Sequence, residues 1–156
     1  IFMSKDIRIK KGLNISLLGL ATKSISAAIN SNYYSVRPED FHGLIPKLIV
    51  KVGDKINAGD TVFFDKSNDS IKITSPVSGE VIEVSRGEKR RILEIKIKAD
   101  KKIKFKTHKK LDLNNVSDEK IKEYLLKSGC WPFFKQRPYD IIANPDSRPK
   151  AIFIQL

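Results

Sequence analysis

The sequence contains one cysteine, Cys130, and two histidines, His42 and His108, among 156 residues. A lone thiol closes no internal disulfide and falls short of the several thiolates that an iron–sulfur cluster takes. The two histidines are far apart and have no Cys or carboxylate cluster beside them, so no zinc site is expected. The glycines, at 12, 19, 43, 53, 59, 79, 87 and 129, never meet the Gly-x-Gly-x-x-Gly spacing of a dinucleotide-binding turn or that of a phosphate loop. An electron path through this chain therefore has no visible carrier. No apolar run approaches the roughly 18 residues of a membrane-spanning helix. The most apolar stretches, 44–50 and 92–97, are broken by Lys or Glu. The opening Ile1-Phe2-Met3-Ser4-Lys5 lacks a basic-then-apolar leader, which, with the unpaired cysteine, makes the cytoplasm the expected location.

What is present is a folded composition, 40% hydrophobic and 31% charged, carrying a net charge of +12. The excess is uneven: residues 86–110 hold twelve Lys and Arg against Glu88, Glu94 and Asp100, a local surplus of nine. Such a stretch attracts phosphates of nucleic acid or of an anionic lipid surface, and it is equally consistent with a solvated lysine-rich face. Nucleic acid is not the expected partner, because no exposed strand carries the aromatic residues on which bases stack. An anionic membrane surface remains a candidate, with Arg86, Lys89, Arg90 and Arg91 placed near a hairpin.

Between residues 44 and 98 the pattern is one of short half-buried strands: Leu48, Val50 and Val52; Val62 and Phe64; Ile71 and Ile73; then Leu93, Ile95 and Ile97 against Glu94, Lys96 and Lys98. Turn signals such as Gly53-Asp54, Gly59-Asp60, Ser67-Asn68-Asp69 and Arg86-Gly87 separate them, which predicts a compact β barrel or sandwich. The runs 48–55 and 81–89 both pass from an apolar strand into a Gly-acid-Lys turn, a pseudo-repeat that suits a two-fold sandwich. After a Lys-rich connector over 101–110, Ser117-Asp118-Glu119 opens a helix predicted over 118–128, with Ser117 as cap and Gly129 as its left-handed end. Ile121, Tyr124 and Leu125 share its apolar face, with Lys122 and Lys127 elsewhere. Cys130, following the helix end, is expected to be a small packed thiol. Pro132, Pro138, Pro145 and Pro149 make the next segment irregular. Ala151-Ile152-Phe153-Ile154-Gln155-Leu156 reads as a buried strand that stops without a turn, so continuation of the natural protein is expected.

The stretch Val50-Lys51-Val52-Gly53-Asp54-Lys55-Ile56-Asn57-Ala58-Gly59-Asp60, followed by Ser75-Pro76-Val77-Ser78-Gly79-Glu80-Val81, resembles the barrel-sandwich hybrid of biotinyl and lipoyl domains. The place of a carrier's modified lysine falls on Asn68, and Lys66 stands two positions early with Ser67 after it, so the hairpin is expected to be structural. A wider set of motifs is similar to the A subunit of the bacterial sodium-translocating NADH:quinone oxidoreductases. It comprises Ile9-Lys10-Lys11-Gly12-Leu13, Arg37-Pro38, Val62-Phe63-Phe64-Asp65-Lys66, the Ser75 to Gly79 run and Arg86-Gly87-Glu88-Lys89-Arg90. Ser128-Gly129-Cys130-Trp131, Arg137-Pro138, Pro145-Asp146 and Pro149-Lys150-Ala151-Ile152-Phe153 follow in the same order. The C subunit of Rnf-type electron-transport complexes shares the early elements and is the alternative, together with a non-redox lipoyl- or biotinyl-like interaction domain.

The resemblance implies a mainly β, α+β chain. Residues 1–43 would be an extension packing on the barrel, 44–110 the barrel-sandwich hybrid domain, and 111–156 a helix and the first strand of a Rossmann-like α/β domain. It further implies a subunit with no redox cofactor of its own, peripheral on the cytoplasmic face of the inner membrane, in a complex that oxidises NADH, reduces ubiquinone and exports Na+. FAD, FMN and iron–sulfur centres belong by implication to the whole complex. The other components of that complex, one embedded in the membrane in particular, are the implied partners. No residue of this chain stands out as catalytic or metal-ligating. Trp131, Phe133, Phe134 and Arg137, with Tyr139 near them, form the one constellation whose flat rings and donor suit a quinone headgroup or a partner helix. Packing of an irregular segment against the helix is the competing reading.

Overall fold

The computed structural model describes residues 18–20, 22–27, 29–112 and 114–154. The Ile9 to Leu13 motif and the last two residues of the terminal apolar run lie outside the described residues. From residue 33 the alternation of apolar and polar side chains folds into two antiparallel sheets. One contains β1 (Tyr33–Val36), β3 (Lys55–Ile56), β6 (Gly79–Arg86) and β7 (Ile92–Ala99) in the order β1-β7-β6-β3. The other contains β2 (Pro46–Leu48), β4 (Thr61–Asp65) and β5 (Asn68–Thr74) in the order β2-β4-β5.

Both sheets contribute to one core, in which Val62, Phe63, Val81, Ile95 and Ile97 are wholly inaccessible. Each such side chain stabilises the fold by roughly 1.5–3 kcal/mol relative to leaving it in water. Backbone hydrogen bonds stitch the crossings where the chain passes between sheets. Gly53 N–H donates to Val81 O at 2.8 Å and Val81 N–H to Asp54 O at 2.9 Å; Gly59 and Ser75 make the matching pair, with Ser75 O and Asp60 O as acceptors, both at 2.8 Å. This is the sandwich closed at its corners that a barrel-sandwich hybrid requires.

Strict alternation misplaces two side chains, and bulges are the reason. Thr61 pairs with Thr74 and Phe63 with Ile73, which leaves Val62 as an extra residue, so Val62 and Phe63 are both buried and Phe64 is turned to the half-exposed side beneath Lys47. In β7 the extra residue is Leu93: Ser85 pairs with Glu94 and Arg86 with Ile92. Ile92 therefore enters the core, and Leu93, expected inside, is 38% exposed. The first copy of the pseudo-repeat also differs from the second. Its ladder ends at Leu48, and Val52 sits 60% exposed in a turn closed by Asp54, whose Oδ2 accepts from Lys51 N–H at 2.8 Å.

The helix α1 (Asp118–Ser128) occupies the predicted span. Ser117 has the extended backbone of a capping position, but its side chain makes no capping bond, and its carbonyl takes the N–H groups of Lys120 and Ile121 instead. Gly129 ends the helix at φ 77° and lies buried against Thr74 of β5. With that left-handed turn filling the contact, Cys130 points outward and is exposed, contrary to the packed thiol expected. Beyond it a 3-10 turn (Trp131–Phe133) leads into a small antiparallel hairpin, β8 (Lys135–Gln136) with β9 (Ile141–Ile142). Residues 151–154 are exposed and outside any strand, with Phe153 at 92%. An apolar run of this kind becomes a strand only when neighbours supply its backbone partners, and among the described residues none does.

Candidate functional site

The four aromatic and basic residues singled out in the sequence sit on one irregular segment between α1 and β9, and the segment is fixed at several points. Pro132 is buried. Trp131 Nε1–H donates to Ala143 O at 2.7 Å, and Ala143 N–H returns a bond to Phe134 O at 2.9 Å, so the indole is held across the base of the β8–β9 hairpin. Lys122 of α1 reaches Pro145 O at 3.0 Å, and Lys135 Nζ stands 5.8 Å from the ring centre of Phe41 beside the barrel.

Within this frame Trp131 and Phe134 are brought together, with ring centroids 5.4 Å apart and planes tilted by 35°. Phe133 is not part of that pair: it is 79% exposed and points to solvent. Arg137 is at the hairpin tip, its Nη1 3.3 Å from Asp140 Oδ1, and Tyr139 next to it is 68% exposed. The arrangement is thus a half-packed aromatic pair with an exposed ring and an ion-paired guanidinium on the same segment. It forms a surface rather than an enclosure, since the quartet lines neither the cleft of about 520 Å³ nor that of about 180 Å³ elsewhere on the chain. A Trp–Phe pair with its indole N–H already bonded offers ring faces rather than donors, beside the exposed ring of Phe133.

The hairpin that would carry a modified lysine in a carrier domain is a closed turn. Asp65, 8% exposed, accepts at Oδ1 from the backbone N–H and hydroxyl of Ser67 at 3.0 and 2.7 Å, and Asn68 Oδ1 accepts from the N–H and hydroxyl of Ser70 at 3.1 and 2.6 Å. Both side chains are committed to the local turn. Arg86, Lys89, Arg90 and Arg91 cluster around the β6–β7 turn and are exposed. Arg91 is also 3.7 Å from Glu39, whose other oxygen is bonded by Arg37. That bond and the charges of Glu39 and Asp40 hold the Arg37 guanidinium above its ordinary pKa. Among the described residues no group of three or more His, Cys, Asp or Glu is placed to hold a metal ion, and no helix is long and apolar enough to cross a membrane.

Sequence reading did not foresee one grouping. Tyr124, assigned to the apolar face of α1, lines a cleft with Lys120 and Lys127 on one side and the 107–112 connector on the other. The signal was present in the spacing, because residues 120, 124 and 127 recur at the i, i+4, i+7 interval of a single helix face.

Similarity to known proteins extends along the chain as a whole. The protein-family profile described as the NqrA N-terminal barrel-sandwich hybrid domain matches residues 7–100, and that of the NqrA second alpha/beta domain matches residues 116–156. Curated relatives, each named as the A subunit of a Na(+)-translocating NADH-quinone reductase, match along nearly the whole chain. That of Yersinia pseudotuberculosis is 35% identical over 95% of this chain, that of a Marinomonas species 34% over 94%, and that of Pseudomonas aeruginosa 33% over 95%. In each case the match covers 34% of the relative, so the chain spans about a third of the length of the curated relatives it matches.

Proposed function

The chain belongs to the NqrA family, the A subunits of the sodium-translocating NADH-quinone reductases, and from that premise we propose that it works as a peripheral, non-redox part of such a complex. The carrying observation is the match across barrel, helix and aromatic segment, in one order and over 95% of the chain. In this reading residues 44–110, with β1 (Tyr33–Val36) completing their larger sheet, form the barrel domain, and residues 111–156 open a second domain. The assembly oxidises NADH, reduces ubiquinone and exports Na+ at the inner membrane, with this chain on the cytoplasmic face. FAD, FMN and iron–sulfur centres belong in this reading to the assembly as a whole and are held by other subunits.

Trp131, Phe133, Phe134 and Arg137 supply contact to a membrane-embedded partner or to the quinone ring. The exposed Phe133 and the Trp131–Phe134 pair give an apolar landing surface, and Arg137 gives a polar border. The experiment is co-purification from detergent-solubilised membranes with the full-length protein as bait, assayed for NADH-dependent, Na+-stimulated quinone reduction. Recovery of that activity with flavin-bearing membrane proteins is expected, and Phe133→Ala should reduce the yield. Failure to recover that activity with the bait would refute the placement in such a complex.

A further inference from the structure

Residues 101–110 of the connector between barrel and helix carry Lys101, Lys102, Lys104, Lys106, Lys109 and Lys110 without one acidic residue, and all six are exposed. It is nevertheless held in place at three points. Lys104 N–H donates to the buried Ser78 Oγ at 2.8 Å, Ala58 exchanges backbone bonds with Lys104 and Lys106 at 2.9 and 2.8 Å, and Tyr124 O–H donates to Lys109 O at 2.8 Å. Lys106 is partly neutralised by Asp60 at 3.4 Å. Past that point the connector and α1 border an open cleft of about 520 Å³. Four lysines line it, Lys109, Lys110, Lys120 and Lys127, against one carboxylate, Asp112. His108 and Tyr124, in edge-to-face contact with centroids 6.0 Å apart, form an aromatic wall.

Four lysines around one cleft focus positive potential there and raise the local concentration of anions. Lysines act as compact point charges, and the site lacks the arginine forks that match a planar carboxylate. A ligand carrying more than one negative charge, or an array of singly charged groups, complements them best. We infer that the cleft between the 107–112 connector and α1 binds a phosphate-bearing anion, held by Lys109, Lys110, Lys120 and Lys127. Two sources share this chemistry: a soluble phosphate or pyrophosphate ester, and the phosphodiester headgroups of an anionic bilayer. The inference rests on the cleft alone and holds whether or not the chain serves a quinone reductase.

The test uses the full-length protein, with inorganic pyrophosphate as the soluble probe and phosphatidylglycerol vesicles, set against phosphatidylcholine vesicles, as the surface probe. Lys109→Gln with Lys110→Gln, and Lys120→Gln with Lys127→Gln, remove charge while keeping most of the side-chain length, and unchanged melting temperatures establish that both variants are folded. Lys66→Gln with Lys72→Gln, on the β4–β5 hairpin, is the control for general charge. Each lysine near an anionic surface contributes about a fivefold gain in binding, so each cleft pair should lower binding about thirtyfold and the control pair far less. Loss of pyrophosphate binding alone identifies a soluble phosphate ligand, and loss of vesicle binding alone identifies a headgroup; both support the site. The inference is overturned if neither probe binds, or if the control pair weakens binding as much as the cleft pairs.

Discussion

Three glycines separate steric from conformational cost, and replacing each with alanine tests whether the barrel is packed as described. At Gly79, at the start of β6, an added Cβ would stand 2.0 Å from the backbone oxygen of Lys98 and 2.8 Å from its carbon, where 3.0 Å is the closest a real Cβ tolerates. The obstacle is the main chain of β7, so no rotamer change relieves it. The two central strands must part by about an ångström. That loosens the Gly79–Ala99 register and strains the bond from Asp100 N–H to Ser78 O, now 2.8 Å. Over-packing costs typically ~1–3 kcal/mol, and each weakened backbone bond adds about 1 kcal/mol, so Gly79→Ala should destabilise the barrel by about 3–5 kcal/mol. Gly53 has open space around it but φ +94°. Gly53→Ala therefore incurs only the left-handed backbone cost, about 1–2 kcal/mol. Gly87 meets only Leu93 side-chain carbons, at 3.2–3.4 Å, and that leucine is free to turn toward solvent. Gly87→Ala should stay within about 0.5 kcal/mol of the parent. Amide hydrogen exchange of β6 and β7 in the full-length protein reads these differences locally, as changes in opening free energy. Equal effects at positions 79 and 87, or a Gly79→Ala protein as protected as the parent, would refute the packing.

Ser78→Ala removes the hydroxyl that donates to Asp100 Oδ2 at 2.9 Å and accepts from Lys104 N–H at 2.8 Å. It should cost about 1–3 kcal/mol and show as faster exchange of the Lys104 amide, with β4 and β5 unaffected. Trp131→Phe keeps an aromatic ring but loses the bond to Ala143 O, worth about 0.5–1.5 kcal/mol. Exchange at Ala143 and along β8 and β9 should quicken while the barrel stays unchanged, and an effect spread through the barrel would contradict the local role.

The barrel was legible because short alternating strands and closely spaced turn residues admit few other folds, and α1 was legible because its end signals were local: acids at 118 and 119, glycine at 129. What alternation could not register was the bulge. One extra residue in β4 and one in β7 put Phe63 and Ile92 inside and turned Leu93 out, and nothing in a single strand's sequence announces which partner residue it will skip. Cys130 was misjudged for a related reason, since the direction of its side chain depends on Gly129 fitting against Thr74, a residue more than fifty positions earlier. The aromatic quartet was readable as a group on one segment. Its division into a paired Trp131 and Phe134, an exposed Phe133 and an ion-paired Arg137 follows from the β8–β9 hairpin, whose two-residue strands carry too little pattern to be seen.

The most informative motif, Ser75-Pro76-Val77-Ser78-Gly79, acts where the lysine-rich connector leaves the barrel. Ser75 Oγ bonds Val77 O at 2.6 Å, shaping the corner between sheets, and Gly79 lets β6 lie against the backbone of β7. Ser78, wholly buried between them, spends both of its side-chain bonds on residues 100 and 104, where the lysine-rich connector leaves the barrel. A run of six lysines would otherwise be expected to repel itself into an extended, mobile strand. Here a single buried hydroxyl at its root and the Tyr124 phenol farther along set its course, so that Lys109 and Lys110, both exposed, lie beside α1. The hairpin tip on which carrier domains mount their lysine is meanwhile closed by Asp65 and Asn68. Six exposed lysines are carried instead by a connector whose departure from the barrel the corner motif fixes.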